Sequence, residues 1–488
     1  MKTKTVLILL ILSVLYSCSV NKNQELEVEI NAIETNLTAA IQIKGKPLEK
    51  YAIIKRMEHY KVPGVSIAVV RNGEIRWAKG YGIANINDSS EVTVNTLFQA
   101  GSISKPIAAL AALKLAEEGK INLDDNVNTY LKDWKIPDNK FTEIEKVTLR
   151  KLLTHTAGMT VHGFPGYQQK DTFPSIVAVL NGGGNTGPIY VDTIPGSIWR
   201  YSGGGYTVME KLVEDVSGIP LEEYMARNIL PQLEMTNSTF EQPLPTSLFS
   251  GASAAYNGKG EIIEGLWHNY PEQAAAGLWT TPTDLSNYCI HVQDILSGKE
   301  KGVLSKETVQ KMLTKHKNDW GLGPALSGEG DSLIFRHGGK NEGFTNNFFS
   351  FAHRGDAVIV MTNADNGGPL IDELIRSVSG YYGWGNSEPR TIEIIDLQAE
   401  QLTRLTGKFK LDYQIPGIGD YFIEVSFKDS SLILNDLITK QVIKLYPLQE
   451  FKFIEIEGGE EVLFQVPEGS EKIGLLWNNQ YQFFRIDE

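Results

Sequence analysis

The sequence has only two cysteines among its 488 residues, Cys18 and Cys289. Cys18 lies at the end of an N-terminal stretch that is typical of an export signal, which leaves Cys289 without an expected partner in the mature chain. No intrachain disulfide is therefore expected, although export would permit one. The fold must be held by its apolar core, and 42% hydrophobic residues supply ample material for it.

Motifs of the common cofactor sites are also missing. The chain contains no H-E-x-x-H, C-x-x-C, EF-hand, Walker or Rossmann pattern, and its eight histidines include no pair spaced as metal ligands on a helix. His155 and His162 are interpreted as structural residues. No G-x-S-x-G pentapeptide occurs, which disfavours an α/β-hydrolase nucleophile elbow. We expect a protein without a metal, nucleotide or redox cofactor.

The chain has fewer basic than acidic residues, 46 against 59, and its net charge is −13. Such a balance gives no electrostatic reason to expect nucleic acid or an anionic membrane surface as a partner. The expected partner is a small-molecule or peptide substrate, and membrane contact is expected only through an N-terminal lipid.

The N-terminus carries the features of an export signal. Lys2 and Lys4 form a charged segment, and residues 6–15 form an apolar segment that is too short to span a membrane comfortably. The segment ends at Cys18 in a sequence that resembles a bacterial lipobox, so lipidation of Cys18 is expected. Because Tyr16 is bulkier than that pattern prefers, cleavage as an ordinary signal peptide stays open. The protein is expected to be a membrane-anchored lipoprotein facing the periplasm, or otherwise soluble in the periplasm or secreted.

The chain is too long for one ordinary domain of roughly 150 residues, and its patterning divides it. Residues 1–18 are the predicted signal, 19–45 a polar tether, 46–385 the main domain and 400–488 a C-terminal domain. In the main domain, predicted hairpins lie near both ends, at 65–81 and 347–361. The helices predicted before, between and after them are 48–59, 104–118, 149–153, 206–216, 220–229, 283–296 and 369–378. This order indicates an α+β fold, an antiparallel sheet flanked by helices with a helical insert.

The C-terminal region shows a different pattern. From residue 405 onward, short alternating segments recur about every ten residues, which is typical of a small antiparallel barrel or sandwich. The predicted strands are 407–412, 421–427, 431–434, 442–446, 451–456, 462–466, 473–476 and 480–486. Its role stays open among binding a small hydrophobic ligand, covering a rim of the active site, and acting as a spacer.

Ser102 and Lys105 form a Ser-x-x-Lys motif at the start of the helix predicted for 104–118. A spacing of three residues places both side chains on one face of the first turn, where the helix N-terminus contributes N–H groups that help to hold an oxyanion. A lysine that burial keeps neutral can take the serine hydroxyl proton. On this motif alone, a helix cap beside a solvated lysine is the simpler interpretation.

Two further segments change that balance. Tyr201 opens a glycine-rich loop that runs into a helix, and residues 337–340, His-Gly-Gly-Lys, precede the late hairpin. Glycines in a strand mark the close approach of another backbone or of a ligand. Taken singly, Tyr201 and His337 would each be assigned to packing.

Together, in this order and spacing, the three motifs resemble the serine hydrolases of the penicillin-recognising family. That family includes class C β-lactamases, DD-peptidases, D-aminopeptidases and related esterases. The resemblance covers about residues 48–380 and is reinforced by further segments that look like recurrent family segments, at 62–68, 152–158, 231–235 and 276–285. It implies a β-lactamase/transpeptidase-like fold, often with an appended lipocalin-like barrel, and catalysis through a seryl acyl-enzyme.

The resemblance also implies a role for each matching residue. Ser102 is the acylated nucleophile, Lys105 assists as base, and Tyr201 shares proton transfer and returns the proton to the leaving group. His337 begins the third motif. Substrate or oxyanion contacts are implied for Gly203, Gly338, Gly339 and Lys340, with the backbone N–H groups of Ser102 and Lys340 forming the oxyanion hole.

Two positions depart from the family. Gly203 stands where the family commonly has the asparagine of Tyr-x-Asn, and His337 stands where β-lactamases have lysine. Both changes weaken recognition of a penicillin but leave acyl transfer intact, so slow β-lactam turnover is expected, rising as the pH falls and His337 gains charge. The expected function is an exported serine hydrolase of the esterase, D-aminopeptidase or DD-peptidase type. A true class C-like β-lactamase and a catalytically weak cell-wall peptide-binding protein are the alternatives.

Overall fold

The computed structural model describes residues 24–299, 302–415, 419–466 and 473–486. The predicted signal segment and Cys18 lie outside these residues. Within the described ranges, no helix is both long enough and apolar enough to cross a bilayer.

The helices, in chain order, are α1 (residues 24–34), α2 (Ile53–Tyr60), α3 (Ser104–Glu117), α4 (Lys140–Ile144), α5 (Leu149–Leu153), α6 (Ile176–Leu180), α7 (Gly203–Ser217), α8 (Leu221–Asn228), α9 (Pro282–Ser297), α10 (Lys306–Met312), α11 (Gly367–Tyr382) and α12 (Ala399–Thr403). The strands are β1 (Ile41–Ile43), β2 (Gly64–Arg71), β3 (Glu74–Asn85), β4 (Ser90–Glu91), β5 (Phe98–Gln99), β6 (Trp279–Thr280), β7 (Ala325–Ser327), β8 (Ile334–Asn341), β9 (Phe344–Phe351), β10 (Ala357–Thr362), β11 (Arg390–Ile392), β12 (Gly407–Leu411), β13 (Phe422–Lys428), β14 (Ser431–Asp436), β15 (Val442–Pro447), β16 (Lys452–Ile454), β17 (Glu461–Gln465), β18 (Gly474–Trp477) and β19 (Tyr481–Ile486).

The described residues divide into two compact units, one formed by those from Met57 to Ile371 and the other by those up to Arg56 together with those from Asp372 onward. The first unit contains an antiparallel sheet in the order β4-β3-β2-β10-β9-β8-β7. The helices from α3 to α10 lie in the chain between β2–β4 and β7–β10, so the predicted α+β fold with a helical insert is confirmed. The limits predicted for the two domains, 46–385 and 400–488, stay a prediction.

Helix α3 lies at the centre of the first unit. Its sequence, SKPIAALAALKLAE, is rich in the residues that most favour a helix, and Pro106 lies in the first turn, where its missing N–H costs little. Nearly all of its side chains are buried, so the helix is packed on every side rather than on one face. The residues at its N-terminus are therefore held on a rigid element.

The second unit contains a closed antiparallel barrel formed by β12 to β19 in chain order, as the alternating pattern predicts. Buried and half-buried residues alternate along β14, which is the period of a strand with one face inside. The inward side chains are large and apolar, among them Phe409, Phe453, Phe464 and Phe483. They form a packed hydrophobic core of their own.

The segment predicted as a tether, 19–45, is folded over its described part. Helix α1 buries Ile30 and Ile33, Leu37 follows them into the core, and β1 pairs in parallel with β11. Three apolar residues spaced by three and four positions form a narrow stripe in an otherwise polar sequence. The average composition of the segment is polar, which hides that stripe in the sequence. Strand β1 is also hard to predict, because it pairs with a strand more than three hundred residues later in the sequence.

Candidate active site

Ser102 lies in the short 3-10 turn Gly101–Ile103 that leads into α3, and Lys105 lies in the first turn of the helix. Lys105 Nζ is 3.0 Å from Ser102 Oγ, within hydrogen-bond distance. The same Nζ donates to the carbonyl oxygen of Ala275 at 2.7 Å. Ser102 is half-buried and Lys105 is only 2% exposed, so the amine is shielded while the hydroxyl borders solvent.

Burial lowers the pKa of Lys105 from 10.5 to about 7. Desolvation disfavours the ammonium form, since the charge loses its water without gaining an equivalent partner. Near neutral pH a large fraction of the side chain is therefore an amine with a free electron pair. An amine at 3.0 Å from a serine hydroxyl can act as its general base.

Tyr201 precedes α7 and completes the cluster. Burial raises the pKa of its hydroxyl well above 10, and the nearby Ser102 side chain offsets only a small part of that rise. Lys105 Nζ lies 5.0 Å from the centre of its ring. The phenol therefore stays protonated at neutral pH, which fits a proton donor and relay, while Lys105 is the group with the pKa of a base.

Strand β8 passes directly against the turn that holds Ser102. A Cβ placed on Gly339 would lie 1.9 Å from the oxygen of Ala100, and one placed on Gly101 would lie 2.6 Å from the nitrogen of Lys340. Both contacts are too short for any side chain, and Gly101 also has a φ of +55°. The two glycines thus allow the backbones at Ser102 and Lys340 to approach each other, as two N–H groups that share one oxyanion require.

His337 lies on the buried face of β8. Its Nδ1 is 2.6 Å from the carbonyl oxygen of Gly338, which can only accept, so Nδ1 carries the proton. Burial and the nearby Lys105 lower its pKa to about 3. The ring is neutral throughout the neutral range, and the expected gain of charge on mild acidification is not supported.

Gly203 is the first residue of α7, and Phe164 occupies the space beside it. A Cβ at position 203 would lie 2.9 Å from Cε2 of Phe164, and Gly203 N donates to His162 O at 2.9 Å. The loop that carries Phe164 therefore fills the volume into which a longer side chain at 203 would extend. The sequence revealed the missing asparagine but not Phe164, whose loop has no periodic pattern.

The carbonyl of Ala275 belongs to the π-helical turn Gln273–Gly277, which the sequence did not predict. Glu210 accepts a hydrogen bond from Ala274 N at 2.8 Å, and Asn341 Nδ2 donates to Ala276 O at 3.0 Å. Single π-turns are rare and frequently lie at functional sites. Here the turn is fixed on both sides, and it presents one carbonyl to Lys105.

The structure thus brings Ser102, Lys105, Tyr201 and His337 close together, with Gly339 and Lys340 of β8 against the turn that holds Ser102. Cys18 lies outside the described residues, and the roles of these residues in binding and catalysis stay a prediction. Within the described ranges, no group of three or more His, Cys, Asp or Glu side chains has an arrangement that could hold a metal ion. The chemistry that the arrangement supports is transfer of an acyl group to Ser102.

Known proteins of similar sequence and structure are consistent with this geometry. Residues 51–378 match the beta-lactamase family. Protein flp of Staphylococcus aureus is 26% identical over 230 residues, which cover 46% of this chain and 45% of flp. The putative penicillin-binding protein PbpX of Bacillus subtilis is 26% identical over 306 residues, which cover 62% of this chain and 71% of PbpX.

Among solved structures, the octameric penicillin-binding protein homologue from Pyrococcus abyssi is similar with a TM-score of 0.60 at 22% identity, over 89% of this chain and 98% of that one. At this identity the likeness concerns the fold. The sequence match to flp spans just under half of that relative's length.

Proposed function

The chain belongs to the beta-lactamase family, and we propose that it is a hydrolase that forms an acyl-enzyme at Ser102. The observation that carries the proposal is the position of Lys105 Nζ, 3.0 Å from Ser102 Oγ, on a side chain whose pKa burial lowers to about 7. A solvated lysine beside a helix cap would have neither property.

In acylation, Lys105 takes the hydroxyl proton of Ser102 as Oγ attacks the substrate carbonyl carbon. The N–H groups of Ser102 and Lys340 hold the oxyanion that develops. Tyr201 donates its phenolic proton to the leaving oxygen or nitrogen and regains one from Lys105. The leaving group departs as a neutral alcohol or amine, and the acyl group remains on Ser102.

Deacylation reverses these roles. A water molecule attacks the acyl carbon and gives up a proton through Tyr201 to Lys105. The tetrahedral intermediate then collapses, the proton returns to Ser102 Oγ, and the acid product leaves. One bond to the acyl carbon forms and one breaks in each half, so the enzyme is regenerated.

The proposed substrates are esters or peptide and amide bonds, as in esterases, D-aminopeptidases and DD-peptidases. A β-lactam is disfavoured because the neutral His337 cannot supply the charge-assisted hydrogen bond that a lysine gives a carboxylate, worth about 1.5–3 kcal/mol. The amide missing at Gly203 removes one more neutral hydrogen bond, worth about 1 kcal/mol. True β-lactamase activity and simple binding of cell-wall peptide remain the alternative proposals.

An activated fluorophosphonate tests the nucleophile, because it reacts with serines whose hydroxyl is activated. We expect one adduct per chain, located on Ser102 by peptide mapping, and none in the Ser102→Ala variant. Ser104→Ala is the control for loss of a neighbouring serine and should still be labelled at Ser102. It is a weak control, because Ser104 Oγ is buried and donates a hydrogen bond to Gly101 O at 2.6 Å, so its loss also alters the turn. Labelling that persists in Ser102→Ala places the nucleophile elsewhere, and an unlabelled but peptide-binding protein favours the binding alternative.

We also propose that the protein is exported and anchored by a lipid on Cys18, as the N-terminal sequence supports. Expressed in a bacterium, it should enter the membrane fraction and incorporate labelled palmitate. Cys18→Ser should abolish both, whereas the matched change Cys289→Ser should abolish neither. A soluble, unlabelled periplasmic protein would favour the ordinary signal peptide instead.

A further inference from the structure

His155 contacts the backbone on both sides of Tyr201. Arg200 N donates to the carbonyl oxygen of His155 at 2.9 Å, and Ser202 N donates to His155 Nδ1 at 3.1 Å. The imidazole also lies along the tyrosine ring, with the ring centres 4.2 Å apart and 33° between the planes. One residue thus holds the Trp199–Arg200 peptide, the Tyr201–Ser202 peptide and the face of the Tyr201 ring.

The hydrogen bond from Ser202 determines the protonation of the imidazole. Nδ1 must carry an electron pair to accept it, so the neutral ring has its proton on Nε2. An imidazolium would place an N–H against the Ser202 N–H and break this contact. Complete burial, together with the nearby Lys105, His337 and His162, keeps the pKa of His155 well below 6.5.

The backbone of His155 is itself unusual. Its φ is +57°, in the left-handed region that only a few per cent of residues other than glycine adopt, with asparagine, aspartate and histidine the most frequent among them. The strained conformation brings the carbonyl and the imidazole of one residue to face the same segment. Such strain persists where the surrounding structure fixes it, and it clusters at functional sites.

We propose that His155 is a positioning residue for Tyr201: it fixes the backbone and ring of the tyrosine so that the phenolic O–H stays at Ser102 Oγ. The inference rests on the proposed function, because the only role it gives His155 is to position Tyr201 for the proton relay. The hydrogen bonds of its imidazole and its carbonyl go to the two residues that flank Tyr201, so its effect on the rate is expected to pass through Tyr201. Its loss should lower kcat and leave KM nearly unchanged.

The test is a double-mutant cycle between His155→Leu and Tyr201→Phe, measured on an unactivated alkyl ester whose leaving group needs a proton. His155→Leu alone should lower kcat about 10²-fold, the cost typical of a misplaced catalytic group. In the Tyr201→Phe background, the same change should cost less than about threefold, since the phenolic proton is already gone. Equal losses in both backgrounds would overturn the proposal.

Rescue by a conservative variant separates positioning from general stability. Asparagine offers Oδ1 close to the place of Nδ1 and tolerates a positive φ, so His155→Asn should recover most of the lost rate. If His155→Leu does not fold, His155→Gly takes its place, because glycine adopts this φ without strain. An asparagine variant that folds as well as wild type but is as slow as the leucine or glycine variant would contradict the proposal.

Two controls keep this result distinct from a failure of the proposed function. Fluorophosphonate labelling of Ser102 is measured first in the wild-type protein, so a wrong nucleophile is recognised before the cycle is interpreted. His353→Leu provides the matched change at an exposed histidine in the turn after β9. Its kcat should stay within about twofold of wild type.

Discussion

Lys105 and Ala275 are joined by a hydrogen bond of 2.7 Å in which Nζ donates to the carbonyl oxygen. A neutral amine has two N–H bonds and one electron pair, and this contact fixes one of the N–H bonds. The electron pair can then face Ser102 Oγ, which lies 3.0 Å from Nζ. The π-helical turn that presents Ala275 thus engages one N–H of the base and leaves its electron pair free to face the serine.

Replacing either proton-transfer residue should strongly slow the reaction. Loss of a general acid or base typically costs 10²–10⁴-fold, so Lys105→Ala and Tyr201→Phe should each lower kcat/KM on an ester by at least about 10²-fold. The loss of kcat/KM is measured by steady-state hydrolysis of an aryl ester. Lys114→Ala, a partly exposed lysine at the other end of α3, is the matched control. Activity within about threefold of wild type in the first two variants would mean that another group moves the proton.

The rate should depend on pH through Lys105. Because the amine form is the base and its pKa is about 7, kcat/KM should rise with pH and level off above that value. The pKa of Tyr201 lies well above 10, so no decline from loss of its proton is expected up to pH 9. A profile of kcat/KM from pH 5 to 9 checks both the rise up to about pH 7 and the plateau above it. A flat profile, or one that falls as the pH rises through 7, is incompatible with a lysine base.

Two neighbouring glycines of β8 should respond differently to the same substitution. A Cβ on Gly339 would lie 1.9 Å from Ala100 O, whereas one on Gly338 has only Asn346 O within 4 Å, at 3.9 Å. Gly339→Ala must move the backbone and should reduce the free energy of unfolding by about 1–3 kcal/mol. Gly338→Ala should change it by less than about 0.5 kcal/mol. Denaturant unfolding of the two variants measures this, and similar values would show that β8 does not approach the turn so closely.

β-Lactam turnover should be slow and should not improve at lower pH. The pKa of His337 is about 3, so its charge does not change between pH 8 and pH 6, while protonation of Lys105 reduces the rate. Nitrocefin, p-nitrophenyl acetate and D-alanyl p-nitroanilide compared at both pH values give the ranking, with His337→Lys as the variant that should favour nitrocefin. Fast nitrocefin hydrolysis by the wild type at pH 8 would make the protein a β-lactamase.

Much of the fold could be predicted from the sequence because its signals are local. The alanine-rich run of α3 and the Asn72-Gly73 turn between β2 and β3 are determined by neighbouring residues. The alternation of the barrel strands identifies their inner face without knowledge of their partners. Helix α1 was missed because its burial depends on partners distant in sequence, which local patterning does not reveal.

The candidate site likewise has residues that the sequence predicts and residues that only the structure reveals. The three motifs could be found because they carry chemistry in their residue types. The π-helical turn at Ala275, the ring of Phe164 and the contacts of His155 arise from tertiary packing, and alanine, phenylalanine or a lone histidine has no distinctive signal. His155 and His162, interpreted from the sequence as structural residues, lie against Tyr201, with ring centres 4.2 Å and 5.0 Å away.

Direct observation of the acyl-enzyme tests the central claim most simply. Mixing the protein with p-nitrophenyl acetate, quenching in acid within the first turnover and measuring intact mass should reveal one added acetyl group. Peptide mapping should locate that group on Ser102, and Ser102→Ala should gain none. An acetyl group found on Lys105 or on another residue, or turnover of the ester with no covalent intermediate at any quench time, would contradict the account.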